Sequence, residues 1–181
     1  MRETSRASRR NQIIVHAVVL AVACIFSYQA ITFLLAHGWT ISRDDKSLGG
    51  MWAVIATIFV FRYSYKDSAK AAFSRTTATF LSFLLCFCYL LIFPFTPHGM
   101  AVLIGLGTVL LSLVGRDEDI VTAGITTTVI MVVANLSPVD AWKEPILRLI
   151  DTLVGLVVGM VFAWIAATMI GPVPGQSSKD A

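Results

Sequence analysis

The sequence predicts an all-α, polytopic membrane protein: a bundle of six transmembrane helices built as a three-plus-three inverted repeat. Three observations predict it. Hydrophobic residues fill 56% of the 181 positions and charged residues only 14%, whereas a soluble domain carries about 25% charge. Apolar stretches long enough to matter in a bilayer recur six times between polar or proline-bearing connectors. The third and sixth of them open on the same arginine–threonine pattern. With mean hydropathy at +0.77, a bilayer is the solvent that removes the need for a polar outer face.

Residues 1–12 form a basic cytoplasmic segment, 13–170 the six-span membrane module and 171–181 a short cytoplasmic tail. The first span is Ile13–Ala36. Ser8-Arg9-Arg10 and the "LAVAC" around Cys24 look faintly like export and lipoprotein signals. A cleaved signal has an apolar region of only about 7–15 residues, and this one continues to a bilayer-crossing length of about 20, so it is expected as a retained helix. Leu48–Phe61 follows, short for a full crossing unless the polar turn before it extends it or neighbours shield it. Phe73–Phe93 is the third span, closed by the tight turn "FPFTPH". Gly99–Gly115 and Ile120–Leu136 come next, separated by "RDED", whose acids suit the positive end of the fifth helix. Ile146–Ile170 is the sixth. Cys24, Cys86 and Cys88 lie inside apolar runs, without metal-ligand spacing, and read as small hydrophobes.

Lysine and arginine set the orientation. With a cytoplasmic N-terminus, ten of the 14 basic residues fall inside: Arg2, Arg6, Arg9, Arg10, Arg62, Lys66, Lys70, Arg75, Arg116 and Lys179. Arg43, Lys46, Lys143 and Arg148 fall outside. Both termini are expected on the cytoplasmic side, with "RYSYKDSAKAAFSR" as a basic inner loop. The pI near 8.9 comes from residues scattered around apolar runs, which argues against a nucleic-acid partner.

The repeated pattern supplies the candidate site. "RTTATFLS" and "RLIDTLVG" each place a threonine four residues after an arginine and a small residue three further on: Arg75, Thr79, Ser82 and Arg148, Thr152, Gly155. Those spacings share one helix face. An odd number of spans per half inverts the second half, so the arginines would stand at opposite mouths of a passage between the halves. Asp151 is placed to pair with Arg148 on the adjacent turn; the plainer alternative is that Arg148 snorkels to the interface with Asp151 as its counter-ion. A small-residue stripe (Gly155, Gly159, Ala163, Ala167) continues the sixth span, and a second (Gly49, Ala53, Thr57) lies on the second, both suited to close helix packing. Trp52 is an interfacial anchor or lines a vestibule. Thr126, Thr127 and Thr128 suit hydrogen bonds to their own helix backbone. His16 and His98 are weaker candidates for proton sensing. Nothing resembles a nucleophile–base pair, phosphate loop or metal-ligand set, so neither an enzyme nor a cofactor is expected.

These residues resemble a known family. "GGMWAVIATIFVFRYSYKDSAKAAFSRTTATFLS" is similar to the membrane module of the fusaric acid resistance and aromatic acid exporter families. Trp52-Ala53 and Thr57 match its Trp-Ala start. Arg75 and Thr79 match its Arg-x-x-Gly-Thr-x-x-Gly signature, with Ala78 and Ser82 in place of the glycines. Arg148, Asp151, Thr152 and Gly155 match the later Arg-x-x-Asp-Thr-x-x-Gly. The module is also similar to that of the plant aluminium-activated malate transporters, which conduct organic anions as dimers. The resemblance implies a permease component exporting organic, often aromatic, carboxylates, along a path shaped by Arg75, Thr79, Arg148, Asp151, Thr152 and Trp52. A guanidinium suits that cargo because it can grip a carboxylate bidentately. Larger relatives carry a soluble domain or a second membrane module, so a homodimer or a partner subunit is expected here. The competing reading is a non-transporting membrane scaffold that uses the small-residue stripes for helix contacts alone.

Overall fold

The computed structural model of the protein describes the backbone of residues 2–38, 43–62, 64–136 and 141–170, and the side chains of 10–37, 46–62, 64–136 and 141–169. Six α-helices and one 3₁₀ turn account for nearly all of it, with no strand among the described residues. They are α1 (Arg2–Gly38), α2 (Arg43–Val60), α3 (Tyr65–Ile92), α4 (Pro97–Leu113), the 3₁₀ turn Asp117–Asp119, α5 (Ile120–Leu136) and α6 (Lys143–Ile170). The expected tail, 171–181, lies outside the described residues, as do parts of the connectors after α1 and α5.

Four stretches are long and apolar enough to cross a membrane: Arg10–His37, Tyr65–Ile92, Asp117–Leu136 and Lys143–Met169. Lys46–Val60 and Pro97–Leu113 are shorter apolar helices. The second span is longer than its apolar run, because the helix starts at Arg43 within the polar turn. Its 18 residues rise about 27 Å, close to the roughly 30 Å hydrocarbon core. The basic loop expected before the third span is mostly helix, since α3 begins at Tyr65. The reason is local: "KDSAKAA" is rich in good helix formers, and Asp67 sits in the first turn, where the helix dipole favours an acid.

The helix ends are well specified. Thr96 caps α4 by accepting from Gly99 N–H at 3.0 Å, with Pro97 behind it in the first helical turn. α4 closes on Gly115, whose φ of +71° permits the Arg116 N–H to reach the Leu111 carbonyl at 2.8 Å, a glycine-terminated helix stop.

The distribution of polarity is that of a membrane protein. Large apolar side chains face outward on every helix, among them Phe33, Phe59, Phe80, Val102, Val121, Val157 and Trp164, while the buried set includes Arg75, Asp119, Glu144, Arg148 and Asp151. Water would punish both halves of that arrangement; a lipid solvent favours both. Several threonine hydroxyls within the spans bond back to their own helix, as in Thr32 to the Tyr28 carbonyl (2.8 Å) and Thr128 to the Gly124 carbonyl (2.8 Å).

The chain separates into two compact units, one containing residues up to Ala72 together with those from Val154 onward, the other Phe73–Leu153. They do not follow the two sequence halves: α3 and α6, the third helix of each half, each contribute to both units. In the first unit, Phe61, Ala163 and Ala166 pack with Val19, Leu20 and Phe162. In the second, Cys86, Leu90, Leu103, Ile130, Met131 and Ala134 form an apolar core.

Candidate functional site

The second unit holds both arginines and most of the path residues. On α3, Arg75, Thr79, Ser82 and Cys86 recur at spacings of four, three and four, so they line one face, and all four are buried. Arg75 is only 4% exposed, far from a lipid-facing snorkelling position. Ser82 Oγ donates to the Ala123 carbonyl of α5 at 3.0 Å, and Cys86 shares a side-chain hydrogen bond with Thr127. Thr79 is 1% exposed, and its hydroxyl has no hydrogen-bond partner among the described residues. Just before Arg75, Ser74 Oγ donates to Asp119 Oδ1, and Asp119 Oδ2 takes Arg116 Nε at 2.6 Å. The wholly buried Asp119 thus does more than face a helix dipole: it ties the turn before α5 to α3.

On α6, Arg148 is 3% exposed and Asp151 fully buried. Arg148 Nη1 lies 3.0 Å from Asp151 Oδ2, and Nη2 lies 4.0 Å from Glu144 Oε2. The arginine–threonine spacing points to the aspartate and not to Glu144, whose signal is legible as Glu-x-x-x-Arg-x-x-Asp, three positions on adjacent turns of one face. One guanidinium therefore serves two buried carboxylates. Asp151 Oδ1 receives no hydrogen bond among the described residues. Thr152 is buried one residue further on. A guanidinium this deep in an apolar helix is sustained only by such partners.

The small-residue stripes belong to the first unit, where they meet each other. Thr57 Oγ1 on α2 donates to Ala53 O (2.9 Å) and across to Gly155 O on α6 (3.0 Å). A Cβ at Gly155 would collide with the Ala53 carbonyl and lie 2.7 Å from Ala56 Cβ; one at Gly159 would lie 3.2 Å from the Thr57 carbonyl oxygen. Gly49, Ala53, Ala56, Thr57 and Val60 are all buried. Ala163 is buried, but Ala166 rather than Ala167 takes the next buried position. The periodicity explains the step: Ala166 lies about 20° from Gly155 around the helix and Ala167 about 120°. Trp52 is half-buried on α2, His16 is buried with its ring edge-on to Phe61, and His98 is exposed.

Openings between helices lie in the second unit. A groove of about 430 Å³ runs between α4 and α5, lined by Ile104, Thr108, Ile120, Val121, Gly124, Ile125, Thr128 and Val129. A narrow crevice with no room for water shares Ile104, Thr108 and Gly124 with it and reaches Ser82 and Thr127. Neither is lined by Arg75 or Arg148. Among the described residues, no three His, Cys, Asp or Glu side chains gather as a metal site.

A sequence comparison decides the family. The family described as fusaric acid resistance protein-like matches residues 28–162, most of the chain. The chain belongs to that family. Its match covers α2 to α5 completely, with the C-terminal part of α1 and all but the last turns of α6, so both arginine faces and both small-residue stripes fall inside it apart from Ala163 and Ala167. Membership in the fusaric acid resistance protein-like family makes this a multi-pass membrane protein with a transport- or resistance-related role, a class of transporter-type proteins rather than of enzymes. No curated protein and no solved structure matches the chain.

Proposed function

We propose that the protein is an inner-membrane permease component that exports organic, chiefly aromatic, carboxylates. In this reading all six helices cross the membrane as a three-plus-three inverted repeat, 13–170 being the membrane module, with both termini cytoplasmic, as the ten-to-four split of basic residues favours. The observation that carries the proposal is the burial of both Arg75 and Arg148 on apolar helices, 4% and 3% exposed. A guanidinium is kept in such a place at high cost, and inward-facing intramembrane charge marks solute pathways. Arg75 and Arg148 attract the carboxylate, Thr79 and Thr152 offer hydroxyls along its course, and Trp52 supports an aromatic body. Asp151 holds Arg148 in position. Carboxylate is the fitting cargo because the planar fork matches it with two parallel hydrogen bonds.

Vesicles containing the purified protein test the proposal, with labelled phthalate as an aromatic carboxylate too charged to leak at neutral pH. Wild-type vesicles should show saturable flux above protein-free ones. Truncating Arg148 to alanine would strand two buried carboxylates, a change worth about 3–5 kcal/mol of stability, so the informative variant is the double Arg75→Lys, Arg148→Lys. It keeps the charges and removes the fork. Flux should fall by tenfold or so, the effect of about 1.4 kcal/mol lost from binding or passage. Wild-type flux in a well-inserted double variant defeats the proposal.

The scaffold alternative also accommodates the stripes as helix contacts, the role they have where Gly155 and Thr57 meet in the first unit, so flux through the vesicles is what separates the two readings. Self-association as a dimer remains part of the proposal, through other surfaces.

A further inference from the structure

The first unit gathers exposed cations at one end. Its α1 and α2 run antiparallel: the Tyr28 ring covers Gly50, and His16 stands edge-on to Phe61 with ring centroids 6.4 Å apart. The start of α1 and the close of α2 therefore share an end. Just past it the Arg62 N–H donates to Ser68 Oγ at 3.0 Å, which ties the opening turns of α3 to the close of α2. Arg10, Arg62, Lys66 and Lys70 are all exposed there, and among the described side chains at this end Asp67 is the single acid. On α1, Arg10 heads a stripe with Ile14, Val18 and Ile25, all exposed and within about 80° around the helix. Along α3 itself, Lys66 and Lys70 share an equally narrow arc with the outward-facing Phe73, Phe80 and Leu84. Ser68, Arg75 and Thr79 line the opposite, buried side of that helix. The cations thus cap apolar stripes that face lipid, at the level where headgroups lie.

We propose that Arg10, Arg62, Lys66 and Lys70 form a headgroup site for an anionic phospholipid in the leaflet at this end of the first unit. The lysines are poorly placed for the stability of their own helix. They are like charges four residues apart, and Lys66 lies in the first turn of α3, at the positive end of its dipole. A bound phosphate offsets both penalties. The two guanidinium groups suit phosphate oxygens through paired hydrogen bonds, and the ammonium groups act as compact point charges. Cations beside a membrane helix each attract a negatively charged leaflet, within a Debye length of its surface. The apolar stripes select a lipid over a free anion, because they keep acyl chains beside the cations that hold the headgroup. In the orientation proposed above this is the cytoplasmic leaflet. The site depends on membrane embedding and not on the transported cargo, so loss of the transport reading would leave it standing.

The test is a titration of the full chain, held in an uncharged detergent, with tail-labelled phosphatidylglycerol or phosphatidylcholine, read by fluorescence anisotropy. The wild type should bind phosphatidylglycerol about tenfold or more tightly than phosphatidylcholine, whose headgroup carries no net charge. The double variant Lys66→Gln, Lys70→Gln should lose about tenfold in affinity for phosphatidylglycerol, the scale of two cations near a charged surface, and keep its affinity for phosphatidylcholine. Lys66→Arg with Lys70→Arg should retain the preference, which keeps the question open to test if the glutamine variant folds poorly. Lys46→Gln, near the other end of α2, should change nothing. Inorganic phosphate at matched ionic strength should leave the lipid in place. A wild type without the preference overturns the inference, as does a preference that survives in the glutamine double variant. An equal loss in Lys46→Gln would mean unspecific charge attraction, and displacement by inorganic phosphate a free-anion site; each overturns it too.

Discussion

Gly155 and Gly105 both lie within apolar helices, yet an added methyl group means opposite things at the two. At Gly155 it would strike the Ala53 carbonyl and Ala56, backbone and short side chain that cannot swing aside; at Gly105 nothing lies within 4 Å. Gly155→Ala should therefore destabilise the protein by about 1–3 kcal/mol, the usual cost of overpacking, whereas Gly105→Ala should be neutral or slightly stabilising through helix propensity. Thermal unfolding in detergent, read on both variants side by side, checks this; equal midpoints would mean that α2 and α6 do not approach as described. Thr57→Val removes the hydroxyl that bridges Ala53 and Gly155 while keeping the shape. Its expected cost is smaller, near 0.6 kcal/mol, typical of interhelical hydrogen bonds in membranes.

The turn between α4 and α5 makes its own prediction at the scale of elements. Asp119 is a buried acid that joins two elements, through Ser74 on α3 and Arg116 beside it. Asp119→Ala leaves both donors without their acceptor and should cost about 1–3 kcal/mol, whereas Asp117→Ala, at an exposed position two residues earlier, should cost little. Unfolding midpoints of the two variants separate the cases, and similar losses would contradict the tie. This connection was not legible in the sequence, because the acids of "DED" look alike until α3 is placed beside them. What was legible was periodicity. The fifth span matches its helix end to end, Ile120–Leu136, and the faces of Arg75–Thr79–Ser82 and Arg148–Thr152 are buried as a four-and-three spacing implies. The ends of polar-flanked helices were only partly legible, since apolar runs report where lipid is and not where hydrogen bonding stops: α2 begins in the polar turn offered as its extension, whereas α3 begins inside the segment expected as a loop. The strict every-fourth stripe overshot at Ala167 for a related reason, an α-helix turning once every 3.6 residues.

For the whole molecule, the outward apolar surface and inward charges accord with membership in the fusaric acid resistance protein-like family. Neither finding was needed to suspect a membrane protein, since the 14% charge content already pointed there. The pairing of units could not be read from the sequence, because α3 and α6 divide their residues between them and an apolar pattern does not say which neighbour a given turn meets. The central claim is that the buried polar faces of α3 and α6 border a route for water and solute. Thr79 and Thr152 are 1% and 5% exposed, so a route along them has to open during transport. Cysteines placed at these two positions, with Cys24, Cys86 and Cys88 replaced, test this most directly. Ile130→Cys, at a fully buried site in the apolar core, is the reference. A small water-soluble thiol reagent added to intact membranes should modify the cysteines at 79 and 152 well before the one at 130, and phthalate should slow both. Reaction at 79 and 152 no faster than at 130, with no effect of phthalate, would contradict the account.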